Sequence, residues 1–512
     1  MNNRDLQQAW RYHERTKHSA QSIRADPHGL DWENLPLLFK VYSDLEPIPF
    51  PRDTSIPEMG TLEAISVVET GPAGPYIPDL GVLGRLLLLS AGITKKRGYA
   101  GGEMYFRAAA CTGALYHIDL YLVCGPLPGL EAGVYHFGPQ DFSLRRLRSG
   151  DFRASLIHAS GREPSVEQSP AVLVSATTFW RNSWKYRARA YRHGGWDNGT
   201  ILANLLAAAA GHGVPATAVC GFVDDEVNRL LDLEEGREAA LSLIPLGGAG
   251  GPPGAPPEVA PLSLKTVPLS KRMADYPAIR EMHAASSLPS SEEAAAWRGR
   301  TPASRLPAPT GKIFPLKPDR NIEAVDDRVS DVILRRGSTR EFAREPITFG
   351  QLSTALDRAI RGFPADFLEP PDALLNDVYL IVHAVDGLPS GAYVYRREEK
   401  SLELLREGDF RRQAGHLGLG QQLPADASVN VYFMLDLDPV LERFGNRGYR
   451  AAQLEAGVLG GRLYLAAYAQ RFGATGLTFF DDDVTEFFSP HARGKSVMFL
   501  MALGRKLKRP KR

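Results

Sequence analysis

Cysteine is scarce in these 512 residues: only Cys111, Cys124 and Cys220 occur, with neither a CxxC pair nor a Cys/His cluster at ligand spacing. A disulfide framework and a zinc site are therefore not expected, and the absence of HExxH points the same way on metal. Excess charge is also missing. Lys+Arg at 60 against Asp+Glu at 59 leave a net +1, so no global field would hold nucleic acid or an anionic membrane, and any anion site must be local. No uninterrupted apolar run approaches a membrane span, and the opening MNNRDLQQAWRYHERTKHS is charged, without an apolar h-region. These absences predict a soluble, cytoplasmic protein with no nucleic-acid or membrane partner. What is present, 44% hydrophobic and 23% charged residues, suits a globular chain of two or three domains.

An internal repeat organises the chain. HIDLYLVCGPLPGLEAGVYHFGPQDFSLRRLRSGDFR returns as LNDVYLIVHAVDGLPSGAYVYRREEKSLELLREGDFR, and Tyr121/Tyr379, Tyr135/Tyr393, Gly150/Gly408 and Tyr191/Tyr449 each lie 258 residues apart. After one deletion GFVDDEV matches TFFDDDV, and both copies close on an apolar strand ending at Gly247 and Gly504. Two copies of one domain are therefore fused. The expected organisation is an N-terminal extension over 1–51, a first copy over 52–248, a Gly/Pro-rich connector over 249–325 with a short helix within Ala274–Trp297, and a second copy over 326–512. Periodicity predicts amphipathic helices through Leu80, Leu83, Leu86 and Leu87 and through Phe349, Leu352 and Leu356, with strands at Asp119–Val123 and Ala171–Ala176. The Gly-x-Tyr segments read as edge ribbons. An all-round apolar helix over Thr200–Ala210, capped near Asp197, predicts burial against Leu459–Ala469. An α+β pair packed through central helices follows.

The copies part in three places. RRGSTR gives the second copy Arg335, Arg336, Ser338 and Arg340 where the first has no basic residue, and three guanidiniums with a hydroxyl suit a phosphate. Conversely, the first copy's AACTGAL stretch, with Ala110, Cys111, Thr112, Gly113 and Leu115, offers small side chains and open backbone to a planar ligand. Its counterpart holds Glu369, Asp372 and Pro370-Pro371, which repel an anion and lack donors. Gln421 stands where the first copy has Glu163. Arginine clusters are often solvated and small-residue loops are often only turns, but the complementarity of these differences predicts one composite site retained and a second decayed.

At these residues the chain resembles the nitroreductase flavoproteins, and within them the azoline-dehydrogenase branch typified by SagB and ThcOx. RRGSTR resembles the RRSxR-type segment and AACTGALYH the PSxG-like loop, while YHERTKHS and LDWENLPLLFKVY resemble the extension of tandem members. The resemblance implies two fused nitroreductase-like domains forming an intramolecular pseudo-dimer, with FMN where they meet. FMN would be held by Arg335, Arg336, Ser338, Arg340 and Gln421 on one side and by Ala110, Cys111, Thr112, Gly113 and Leu115 on the other. Thr478-Phe479-Phe480-Asp481 would lie near flavin N5, and Arg505 beside Lys506 would add a phosphate contact; Lys508–Arg512 reads as a solvated tail.

The same resemblance makes Lys185 and Tyr186 in WKYRARAYRHGGWDNG the catalytic pair, Lys185 as base and Tyr186 as relay, where the second copy has Arg443-Phe444. Solvated residues of an Arg-rich stretch are the plain alternative. His193 and His212 are expected to be structural, and Cys111 to pack rather than attack. The implied activity is dehydrogenation of a thiazoline- or oxazoline-type ring, or a related C–N bond, in a peptide or small molecule that a partner protein could deliver. One chain suffices for the site. Two other functions fit the same residues: an NAD(P)H-dependent nitro or quinone reductase, and a non-catalytic scaffold whose flavin site has decayed.

Overall fold

The computed structural model describes residues 3–25, 29–51, 59–69, 75–99, 102–302, 306–319, 321 and 326–507; the tail beyond 507 lies outside them. The extension supplies β1 (Pro47–Pro49), and the first copy carries β2 (Ile93–Tyr99), β3 (Gly102–Arg107), β4 (Ile118–Cys124), β5 (Gly133–Gly138), β6 (Ser143–Ser149), β7 (Ala171–Thr178) and β8 (Glu238–Leu246). Six of these form an antiparallel sheet in the order β1-β6-β5-β4-β7-β8, and β2 and β3 make a separate ribbon. The connector supplies β9 (Lys312–Pro315), and the second copy carries β10 (Ile347–Thr348), β11 (Asp377–Val382), β12 (Val385–Asp386), β13 (Gly391–Arg396), β14 (Ser401–Glu407), β15 (Val429–Asp436), β16 (Gly473–Leu477) and β17 (Lys495–Gly504). Its sheet runs β16-β17-β15-β11-β13-β14-β9, with β10 and β12 as a short parallel pair. Registers repeat with the sequence: Tyr121 faces Val174 as Tyr379 faces Tyr432. Two fused α+β domains whose matching strands run in the same order result.

The Gly-x-Tyr strands β5 and β13 are interior, not edge, because segments outside the repeat supply the edges. Ile48 of the extension pairs Leu144, and Ile313 of the connector pairs Glu403. Pro47 and Pro49, which lack an N–H, fit such an edge. The extension is likewise no loose accessory. Its helix Gln7–Arg15 buries Tyr12 and His13, and Tyr12 donates to the Ala188 carbonyl while Asn3 Nδ2 donates to that of Phe444, tying both copies. Among the described residues the connector forms the helices Pro277–Ala285 and Ser291–Trp297, where the sequence predicts a single short helix over 274–297.

The long central helices, Ala190–Gly211 and Arg447–Ala469, cross in the middle of the molecule. The first begins well before the expected Thr200, so Asp197 is an internal, buried helical residue rather than a cap. Glycines weaken an isolated helix by about 1 kcal/mol each, but here they permit contact: a Cβ on Gly199 would stand 2.6 Å from the backbone of Gly457, and one on Gly457 2.6 Å from the Trp196 carbonyl. Packing therefore overrides propensity.

A pseudo-symmetric pair of charge clusters locks the copies together. Arg189, just before the first central helix, and Arg192 within it donate to Asp481 of the second copy at 2.9 and 2.6 Å. Reciprocally, Arg447 and Arg450 donate to Asp224 at 2.5 and 2.7 Å. Burial alone would raise both carboxyls, but the paired guanidiniums win, holding Asp224 at about 2 and Asp481 well below the usual range. Among the described residues no helix is long and apolar enough to cross a membrane.

Candidate active site

The small-residue loop of the first copy is seated by the central helix beneath it. Asp197 accepts from the Thr112 backbone N–H at 2.9 Å, the Thr112 hydroxyl at 2.8 Å, the Cys111 thiol at 3.1 Å and His117 Nε2 at 2.9 Å. The Ala110 carbonyl accepts from Thr200 at 2.6 Å. With these partners fixed, Gly113 at φ 64 and Ala114 at φ 54 turn the backbone outward, and Leu115 packs on Trp180 and Trp184. Cys111, His117 and Asp197 thus lie within 4.8 Å, a donor set that sequence spacing does not show. Burial and Asp197 push the Cys111 thiol up, so it acts as a hydrogen-bond donor to the carboxylate and, as expected, has no nucleophilic activation. Glu455, at the same place in the second copy, seats its own loop through the Leu375 and Asn376 amides; the carboxylate's first task is structural.

Opposite this loop stands the arginine segment. Arg336 crosses between the copies: Nε donates to the Ala108 carbonyl at 2.9 Å and Nη2 to that of Arg107 at 3.2 Å. Its guanidinium lies 5.2 Å from the Tyr464 ring, and its buried Nη1 has no partner. Ser338 meets the Tyr464 hydroxyl at 3.1 Å, and that hydroxyl also accepts from the Gly476 N–H. Thr478 Oγ1 is a second buried atom without a partner. Two orphaned donors and an exposed glycine backbone fit an anionic phosphate joined to a planar ring.

Not every expected residue joins this group. Arg335 is committed to Asp327 and the Tyr468 carbonyl, so its charge is already answered. Arg505 turns to the Pro346 carbonyl and Gln351, whereas Lys506 lies 3.8 Å over Tyr468; successive residues of extended chain point to opposite faces. Gln421 Nε2 is spent on the Gly418 carbonyl. Phe479 packs against Trp196 and under Arg189. Among the described residues neither His193 nor His212 belongs to a group of metal-ligating side chains; His193 meets the Tyr186 ring edge-on at 4.5 Å and lies tilted against Trp196 at 4.7 Å.

Lys185 and Tyr186 end the helix Phe179–Tyr186, wrapped by Trp184 donating to the Asp31 carbonyl and Trp180 to Ser270. A Cβ on Gly113 would meet the Tyr186 hydroxyl at 2.8 Å, so ring and loop are in contact. Lys185 Nζ lies 5.3 Å from the Tyr186 ring centroid. Burial chiefly, then Asp197 and Cys111, raise the Tyr186 phenol, while Arg340 of the second copy lowers it. The first copy therefore presents Tyr186 within electrostatic reach of the second copy's Arg340.

The pseudo-equivalent half is filled differently. Asp366 of the second copy accepts from the Cys220 and Gly221 amides at 2.9 and 2.7 Å, and burial pushes its carboxyl up to about 7. Arg298 of the connector covers the Ser160 and Gly161 carbonyls. Where Tyr464 and Tyr468 underlie the arginines, the first copy has Leu206 and Ala210, lining an apolar cavity of about 460 Å³ with Val67 and Arg462.

A nitroreductase family model matches residues 131–248 and 333–505, more than half of the chain and both copies of the repeat. The chain belongs to the nitroreductase family. A crystal structure of a candidate nitroreductase from Anabaena variabilis is 27% identical, covering 98% of this chain and 99% of that one with a TM-score of 0.77, so the tandem arrangement is shared along its length. A candidate nitroreductase of Methanocaldococcus jannaschii, MJ1384, is 26% identical over 165 residues, 32% of this chain and 78% of that protein. The E. coli microcin synthetase McbBCD complex with truncated pro-MccB17 bound aligns over 48% of this chain and 93% of that one at 19% identity and a TM-score of 0.32, too distant to bear on function.

Proposed function

We propose that this nitroreductase-family oxidoreductase binds one FMN between its two copies and dehydrogenates thiazoline- or oxazoline-type rings, or a related C–N bond, in a peptide or small-molecule substrate. Arg336, Ser338 and Lys506 would hold the phosphate, and the loop Ala110–Leu115 with Arg340 would face the ring. When bound, FMN supplies the acceptor for the hydride that the substrate loses. Lys185 takes the proton from the substrate carbon, and Tyr186, pinned against Gly113, fixes where that transfer occurs. The observation carrying this reading is the meeting of Tyr186, the first copy's loop and the second copy's Arg340 at one place. Asp366 on the Cys220 and Gly221 amides supports one site per chain rather than two.

The test is the visible absorption spectrum of the purified protein, followed by turnover of a thiazoline peptide by Lys185→Ala and Tyr186→Phe. One FMN per chain, with turnover lost in Lys185→Ala and flavin retained, is expected. Two flavins per chain refute the single site. Rapid flavin reduction by NAD(P)H, unchanged in Lys185→Ala, would replace dehydrogenation with nitro or quinone reduction; no flavin after reconstitution would leave a scaffold.

A further inference from the structure

An exposed apolar strip lies beside the helix that ends in Lys185 and Tyr186. Trp32 is 67% exposed, Leu35 43% and Leu37 41%, although Trp32 packs edge-on to Trp184, the residue before Lys185, at 5.4 Å. The strip reaches the β2–β3 ribbon through Phe39, whose ring meets Tyr105 at 5.3 Å, and through the Leu38 carbonyl, which accepts from Arg107. Met104, which leaves the face of β3 opposite to Tyr105, is 48% exposed and sits across from Arg97 on the ribbon's other face. Single exposed apolar residues are ordinary, whereas a run of them rimmed by charge marks a binding surface.

The ribbon supplies that charge. Lys95, Lys96 and Arg97 are exposed on β2, and the ribbon's one carboxylate, Glu103, accepts from the Tyr105 hydroxyl. Among the described residues neither β2 nor β3 pairs with a third strand; the Tyr116 hydroxyl closes β3 by accepting from the Arg107 N–H and donating to the Tyr105 carbonyl, so it is the edge of β2 that is open to an added strand. The second copy has no ribbon between its helix Phe349–Ala359 and β11. The fold therefore does not require one, and it occurs only beside the Lys185–Tyr186 end.

We propose that the strip and ribbon dock an extended peptide carrying apolar side chains between carboxylates, and so present substrate to this end of the site. The proposal rests on the reading of the chain as an enzyme of peptide substrates, and charge complementarity selects the occupant. The test uses fluorescence anisotropy of the full chain with a fluorescein-labelled peptide of alternating glutamate and phenylalanine, and with the same peptide carrying lysine for glutamate. The glutamate peptide is expected to bind at least about tenfold tighter, with affinity falling as salt rises. Reversing Lys95, Lys96 and Arg97 together to Glu should cost about tenfold or more. Leu35→Ser with Met104→Ser should weaken binding while flavin content and turnover of a free small thiazoline stay unchanged. Equal affinity for both peptides, variants that bind as wild type, or binding of phosphatidylserine vesicles in place of the peptide would overturn the proposal. Peptide binding without turnover of the small thiazoline by wild type would sink the azoline reading alone.

Discussion

Replacing Asp481 by asparagine separates the domain lock from the site. Asp481 accepts from Arg189 at 2.9 Å, Arg192 at 2.6 Å and the His18 N–H at 2.8 Å, and the two arginine side chains are 3% and 0% exposed. Removing the charge leaves both guanidiniums buried without a counterion, which costs about 3–5 kcal/mol. Asp224→Asn removes the mirror-image charge from Arg447 and Arg450 and should cost about the same. The two differ in what lies next to them. Asp481 lies two residues after Phe479, which packs on the Trp196 and Arg189 side of the candidate site, while Asp224 lies near the Cys220–Gly221 turn that Asp366 closes. Urea unfolding measures the first quantity and bound FMN per chain the second. Both variants should lose stability equally, and only Asp481→Asn should lose flavin. A stability loss below about 1 kcal/mol in either variant would refute the lock, and equal flavin loss in both would refute the asymmetry.

Acid should weaken the lock in a defined window. The Asp224 carboxyl sits at about 2 against an ordinary 3.8, so its contribution of roughly 2 kcal/mol is present above pH 4 and lost as pH falls toward 2; Asp224→Asn should flatten that part of the stability profile. Gly113→Ala places a Cβ 2.8 Å from the Tyr186 hydroxyl at a left-handed φ of 64°, so turnover should fall by more than the roughly 1–2 kcal/mol lost in unfolding assays. Arg336→Lys cannot span the Ala108 and Arg107 carbonyls and still leave a donor free, and FMN titration should show binding weakened by about 2 kcal/mol, near thirtyfold. Gly457→Ala drives a methyl to 2.6 Å from the Trp196 carbonyl and should destabilise by about 1–3 kcal/mol. Gly251→Ala, with nothing within 4 Å, is its neutral control.

The 258-residue spacing made the duplication, the paired strands and the burial of the central helices legible without coordinates, because a repeat preserves the local patterns that specify each element. Contrasting the copies also drew attention to Arg336, Ser338 and the Cys111–Gly113 loop, while the Lys185–Tyr186 pair came from the family resemblance. The same contrast hid Asp224 and Asp481 with their arginines, since residues kept in both copies read as fold alone; it could have found Tyr464 and Tyr468, which face Leu206 and Ala210. Strand polarity decided between Arg505 and Lys506, and the demands of Asp327 and the Tyr468 carbonyl removed Arg335. Sequence alone thus determined which elements form and which residue types each copy offers. Only tertiary structure decided which copy's residues meet, because Arg336 reaches the Ala108 carbonyl and Arg340 acts on Tyr186 through space, across an interface that no local pattern encodes.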